Sequence, residues 1–167
     1  MSIDSDVMRA PGLLRRALAE GLAAFALVFA GCGAVVADSV RDGALGLTGI
    51  AAVFGLIVMV MVYATGHLSG AHINPAVTIA FTLTRHFPPH DALAYVVAQL
   101  VGASAGALVL LAAWSAKPAA LGATVPSAAS GTALLYEFFR TYCGFRGWFI
   151  GRGAVGRGRR VRALRVL

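Results

Sequence analysis

The side chains able to do polar chemistry in an apolar setting are concentrated in one stretch of the chain. It runs Thr65-Gly66-His67-Leu68-Ser69-Gly70-Ala71-His72-Ile73-Asn74-Pro75-Ala76-Val77-Thr78, inside 42 residues, Gly43 to Thr84, that contain no Asp, Glu, Lys or Arg. Leu45 to Tyr63 reads as a membrane-spanning helix. The glycines, histidines, serine, asparagine and proline that follow are poor material for continuing it. Asn74 suits an N-cap, and Pro75 suits the first helical position because the N–H it lacks would be unpaired there anyway. A second, short helix is therefore expected from Pro75 to about residue 84. A bilayer tolerates non-helical backbone only where protein buries it or a wet cavity receives it. A helix broken at membrane depth points to a pore or a binding site; a helix ending in an interfacial loop is the plainer alternative.

The elements that must hold this stretch follow from composition. The chain has 167 residues, 59% of them apolar and 13% charged, with a mean hydropathy of +0.79. That is the profile of an integral membrane protein. The net charge is +7, but Arg140, Arg146, Arg152, Arg157, Arg159, Arg160, Arg162 and Arg165 all lie in the last 28 residues. The basic excess belongs to a tail, where nonspecific adhesion is expected rather than specific nucleic-acid binding. Cys32 and Cys143 fall in different elements and no metal-ligand spacing occurs, so neither a disulfide nor a metal or other cofactor is expected.

In order, residues 1–12 read as a cytoplasmic lead and 13–139 as a transmembrane body. Spans are expected at about 17–37, 45–65 and 92–114, with a half-helix at 75–84 and a partial fourth span at 131–140. Arg15 and Arg16 before an apolar run could open a signal peptide, but the run is long and further spans follow, which favours a retained first span. Gly102, Ala103, Gly106 and Ala107 give the third span a small-residue face for close helix approach. Arg9, Arg15, Arg16 and Arg85 flank one side and only Arg41 and Lys117 the other, which places the N-terminus in the cytoplasm. A bacterial cell membrane is the expected location. Arg140, Arg146 and Arg152 then break the fourth segment, each at about 2.5–3.5 kcal/mol at a helix centre. The Arg/Gly-rich tail, 140–167, reads as a shifted reading frame of a GC-rich gene. Glu20 is ionisable inside a span, hence a functional candidate, unless it is a solvated interfacial carboxylate close to Arg16. His67 and His72 could suggest metal binding or pH gating, but packed loop histidines are the expectation.

Ser69 to Thr78 closely resembles the first pore loop of the major intrinsic protein family, the aquaporins and glycerol facilitators. The resemblance runs from Arg15 to about Phe139. Ala19-Glu20-Gly21 with Leu27 to Gly33 is similar to the family's first span, Gly55 to Tyr63 to its second, and Tyr95 to Gly106, with Gln99, to its third; the tone is that of the nodulin-like plant subgroup. Ala133 to Thr141 is similar to its fourth span. The resemblance implies an all-α membrane channel, with the body supplying the first inverted repeat: three spans, a re-entrant half-helix and the start of the second repeat.

It further implies passive transport of water, glycerol or another small neutral solute, so no catalytic residue is expected. Asn74, Pro75 and Ala76 would form the pore motif, with the Asn74 amide donating to passing water. Gly70, Ala71, His72 and Ile73 would offer a ladder of backbone carbonyls. Phe54, 20 residues before Asn74, would stand at the outer constriction, or else be an ordinary lipid- or core-facing ring. Glu20, with Glu137 as its counterpart in the second repeat, would brace the re-entrant loops. Assembly into a homotetramer in the lipid bilayer is the family expectation. A second motif and the filter arginine are not in this sequence, so the chain alone is expected to conduct poorly; a non-conducting scaffold that assembles with full-length channels is the alternative.

Overall fold

The computed structural model of the chain describes residues 11–114 and 116–123, together with 131, 132 and 135. All regular structure among the described residues is helical: α1 (Leu13–Ser39), α2 (Gly46–Ser69), α3 (Pro75–Leu83) and α4 (Pro89–Ala113), then a 3-10 turn at Pro118–Gly122. At 27, 24 and 25 residues, α1, α2 and α4 are long and apolar enough to cross a bilayer. The nine residues of α3 reach only about 14 Å, less than half of a hydrocarbon core about 30 Å thick. The expected partial span at 131–140 lies mostly outside the described residues, and the tail wholly so.

The helix ends follow local chemistry and shift the expected boundaries. α1 starts at Leu13 behind Gly12, not at residue 17, and so takes Arg15 and Arg16 into its first turn. Long arginine stems can lie along an apolar helix while their heads reach the interface. Asp38 ties the end of α1 to the start of α2: its Oδ1 accepts the backbone N–H groups of Leu45 (2.8 Å) and Gly46 (2.9 Å). α2 runs four residues past the expected 65, through Gly66 and His67 to Ser69. Gly70 stops it, in the left-handed conformation at φ 90° that a glycine adopts at little cost. Pro88 is extended, as a residue before proline prefers, and Pro89 opens α4.

α1 is the central helix, packed against both α4 and α2. Its buried face is mostly Ala and Gly, including Ala17, Ala19, Ala23, Ala24, Gly31 and Ala34. Hydrocarbon offers no hydrophobic drive for helices to associate, so van der Waals contact between close backbones holds them. At the α1–α4 crossing a Cβ on Gly102 would overlap the carbonyl of Gly21, and one on Gly106 would lie 2.9 Å from the carbonyl oxygen of Phe25. The expected small face is thus only partly used: Gly102 and Gly106 are buried in the contact while Ala107 is exposed. α2 leaves most of its apolar surface uncovered, with Leu47 84% and Tyr63 82% exposed.

Candidate functional site

Residues 70–74 join α2 to α3 without regular structure, and buried groups from all four helices close around them. Glu20, wholly buried on α1, is the hub. Its Oε1 accepts from the Ser69 hydroxyl (2.6 Å) and the His72 backbone N–H (2.9 Å). Its Oε2 accepts from the Ile73 N–H (2.6 Å) and from Nε2 of Gln99 on α4 (2.8 Å). Ser69 Oγ in turn accepts the N–H of Ala71 at 3.1 Å. Its placement is that of a fully enclosed acceptor, not of a solvated carboxylate at the interface.

Three consecutive N–H groups, those of Ala71, His72 and Ile73, are therefore drawn to the Ser69–Glu20 side. In a planar trans peptide the carbonyl points opposite to the N–H, so the carbonyls of Gly70, Ala71 and His72 face away from Glu20. The carbonyls of Gly70, Ala71 and Ile73 accept no hydrogen bond from the described residues. This arrangement needs left-handed backbone at Gly70 (φ 90°), Ala71 (φ 50°) and Ile73 (φ 61°). For alanine, and more so for β-branched isoleucine, that is strain of about 1–3 kcal/mol per residue. The bonds to Glu20 oppose it, and so does burial of Ile73 against Ala23 and Met61.

Asn74 turns the chain into α3. It is extended (φ −137°, ψ 132°), and its Oδ1 accepts the N–H of Ala76 at 2.8 Å, which leaves Pro75 at the first helical position. The residue is exposed, and its Nδ2 has no acceptor among the described residues. The N-terminus of α3, with its partial positive charge, lies at the same place. Beneath it, buried Thr78 meets His72 Nδ1 and Gln99 Nε2, each at 3.1 Å. Replacing Asn74 by Ala should cost about 1 kcal/mol through loss of the cap, whereas Asp keeps the acceptor and should cost little or nothing. Unfolding of both variants in mixed micelles checks this and separates the capping oxygen from the outward amide.

The two histidines differ. His72 packs against Phe81, Phe87 and Tyr95, with ring centroids 4.9, 4.8 and 5.3 Å away. His67 is exposed on the last turn of α2, a correction to the expectation that both are packed loop histidines; because α2 continues to Ser69, it lies on the helix and not in the loop. No group of three or more potential metal ligands occurs among the described residues. Phe54 is half-buried on α2, its ring laid on Gly31 of α1 where a Cβ would overlap it. It lies about 22 Å along the helix from Ser69. Glu137 is outside the described residues. Ser69, Thr78 and Tyr95 belong to the site although the sequence did not single out their roles. Their one signal was uncharged polarity inside apolar segments, where such groups must find partners.

The major intrinsic protein model matches residues 7–149, so the match enters the Arg/Gly-rich tail beyond the expected limit near Phe139. Nodulin-26 of Glycine max is 40% identical over 140 residues, which cover 83% of this chain and 51% of its own length. Aquaporin NIP1-4 of Oryza sativa subsp. japonica is 43% identical over 129 residues, covering 77% and 47%. Aquaporin NIP1-1 of the same plant is 41% identical over 129 residues, covering 77% and 45%. The chain spans about half the length of the curated relatives it matches. These relatives are plant proteins and lend no support to the bacterial location expected from the sequence. With three helices of spanning length, the chain is an integral membrane protein with an all-α, aquaporin-like fold. It belongs to the major intrinsic protein family.

Proposed function

We propose that this chain supplies one wall of a narrow passive pore for water and small neutral solutes such as glycerol. The observation that carries the reading is the division of the loop: the N–H groups of Ala71, His72 and Ile73 turned to Ser69 and Glu20 and the carbonyls before them turned away, with exposed Asn74 next in the chain. A solute leaving bulk water loses hydrogen bonds, and a row of fixed acceptors with one donor replaces them. The positive end of α3 disfavours cations and protons at the same point. No bond is made or broken, so every residue here positions or solvates. Glu20 braces the loop, and Glu137 is proposed to do the same for a second loop. Phe54 is proposed to narrow the outer mouth. The arginines beside α1 and before α4 support an N-terminus on the cytoplasmic side of the membrane.

The test is water contact at membrane depth. In bilayers containing the whole chain, water-edited solid-state NMR should polarise the Asn74 side-chain amide and the Gly70 and Ala71 backbone as fast as interfacial residues. Val58 and Val60, exposed on the spanning part of α2, should stay dark on that timescale. A loop as dry as those valines contradicts the reading. The second reading, a scaffold assembling with full-length channels as part of a tetramer, is supported by the uncovered apolar face of α2. Co-purification with a full-length relative, at fixed stoichiometry and without solute flux, favours it.

A further inference from the structure

We infer that Tyr95 is a positioning residue that sets the inner end of the row of acceptors by taking the Ser69 carbonyl out of it. The inference rests on the pore reading above and adds to it the device that fixes where the row begins. Asp91, Tyr95 and Gln99 recur at i, i+4 and i+8, one above another on the same face of α4. Each reaches a different layer of the site. Gln99 meets Glu20 and Thr78. Tyr95, fully buried, donates its hydroxyl to the backbone carbonyl of Ser69 at 2.9 Å. Asp91, also buried, pairs with Arg16 of α1 at 2.7 Å.

Ser69 is the last residue of α2, and its carbonyl precedes that of Gly70, so it is the next acceptor in line. A buried carbonyl at the end of a helix needs a donor. The phenol supplies one from a rigid ring whose reach leaves little freedom. The ring is itself held: Phe87 lies 4.6 Å from it and His72 5.3 Å, and the Arg16 guanidinium sits 6.0 Å from its centroid, anchored by Asp91. Arg16 and Asp91 thus act through Tyr95 and never meet a solute. The row of open acceptors starts at Gly70 because the tyrosine closes the position before it.

The test is Tyr95→Phe in the whole chain in lipid bilayers, which removes one oxygen and keeps the ring. Two readouts separate positioning from packing. With carbonyl-labelled serine and nitrogen-labelled glycine, only Ser69-Gly70 and Ser130-Gly131 give a linked signal. The Ser69 carbonyl carbon should move upfield in the variant, as expected for a carbonyl that loses a donor. Amide exchange at Ala71, His72 and Ile73 should quicken about tenfold, the effect of one hydrogen bond of ordinary net strength. Exchange at the α1–α4 crossing should not change. Asp91→Asn, which keeps the phenol but loosens Arg16, should quicken the same loop amides by a smaller factor. An unmoved Ser69 carbonyl overturns the inference. So does faster exchange throughout α1 and α4, the mark of a merely structural tyrosine. Neither readout depends on solute flux, so a failure here is distinct from a failure of the pore reading.

Discussion

Replacing Glu20 by Leu is expected to destabilise the chain by more than about 3 kcal/mol and to release the loop between α2 and α3. Four donors lose their acceptor at once: the Ser69 hydroxyl, the N–H groups of His72 and Ile73, and Gln99 Nε2. Each buried donor left alone costs about 1–3 kcal/mol. The four share one group, so their costs will not simply add. The strained backbone at Ala71 and Ile73 then keeps only the Ser69–Ala71 bond and the burial of Ile73 against Ala23 and Met61 to oppose its return to ordinary conformations. Gln at position 20 should fall between Glu and Leu, because its oxygen still serves one pair of donors while its NH2 faces the other pair. Reversible unfolding in mixed micelles, with amide exchange at residues 71–73, measures both effects. A Leu variant as stable as the parent, with loop amides still protected, removes Glu20 from its central place.

The second large effect is expected at the α1–α4 crossing. Gly102→Ala places a methyl group on the backbone carbonyl of Gly21, and no side chain can swing aside to admit it. The two helices must separate, which costs at least the 1–3 kcal/mol usual for overpacking, roughly, and more when backbone opposes the new atom. Gly106→Ala should be milder, with its new carbon 2.9 Å from the Phe25 carbonyl oxygen and 3.3 Å from the Phe29 nitrogen. Gly33→Ala meets only a Leu110 methyl, at 3.5 Å, and should be neutral or gain up to about 1 kcal/mol of helix propensity. The order Gly102, then Gly106, then Gly33 is the prediction, read as midpoints of unfolding in micelles. A reversed order means that α1 and α4 do not approach as described.

Much of this arrangement was legible in the residues. Asn74 and Pro75 announced the start of α3 because capping and proline chemistry are local, and α3 begins at Pro75. The spans were legible as long uncharged runs. Their ends were less so: α2 stops only where Gly70 can take a left-handed turn, and neither Gly66 nor His67 stops it. Hydropathy is blind to that choice. The resemblance implied a bracing Glu20, and the residue pattern alone left a solvated carboxylate open; the structure buries it among four donors. What no pattern revealed was the set of partners. Tyr95 and Ser69 lie 26 residues apart, and Glu20 and Gln99 lie 79 apart. Such pairs become neighbours only through helix packing, and the glycines at 21, 102 and 106 set how close that packing is.

The measurement that tests the central claim most directly is osmotic water flux, followed by stopped-flow light scattering on vesicles. This chain should be reconstituted alone and together with the part of nodulin-26 that its match leaves uncovered. Alone, with Asn74 and the apolar residues Ile79 and Leu83 of α3 exposed, it should pass little more water than empty vesicles. With that part present, flux should rise well above both single components and fall again when Glu20 is replaced by Leu. Flux that stays at the level of empty vesicles with both components present, while residues 71–73 keep their amide protection, contradicts the account. So does flux that is indifferent to Glu20.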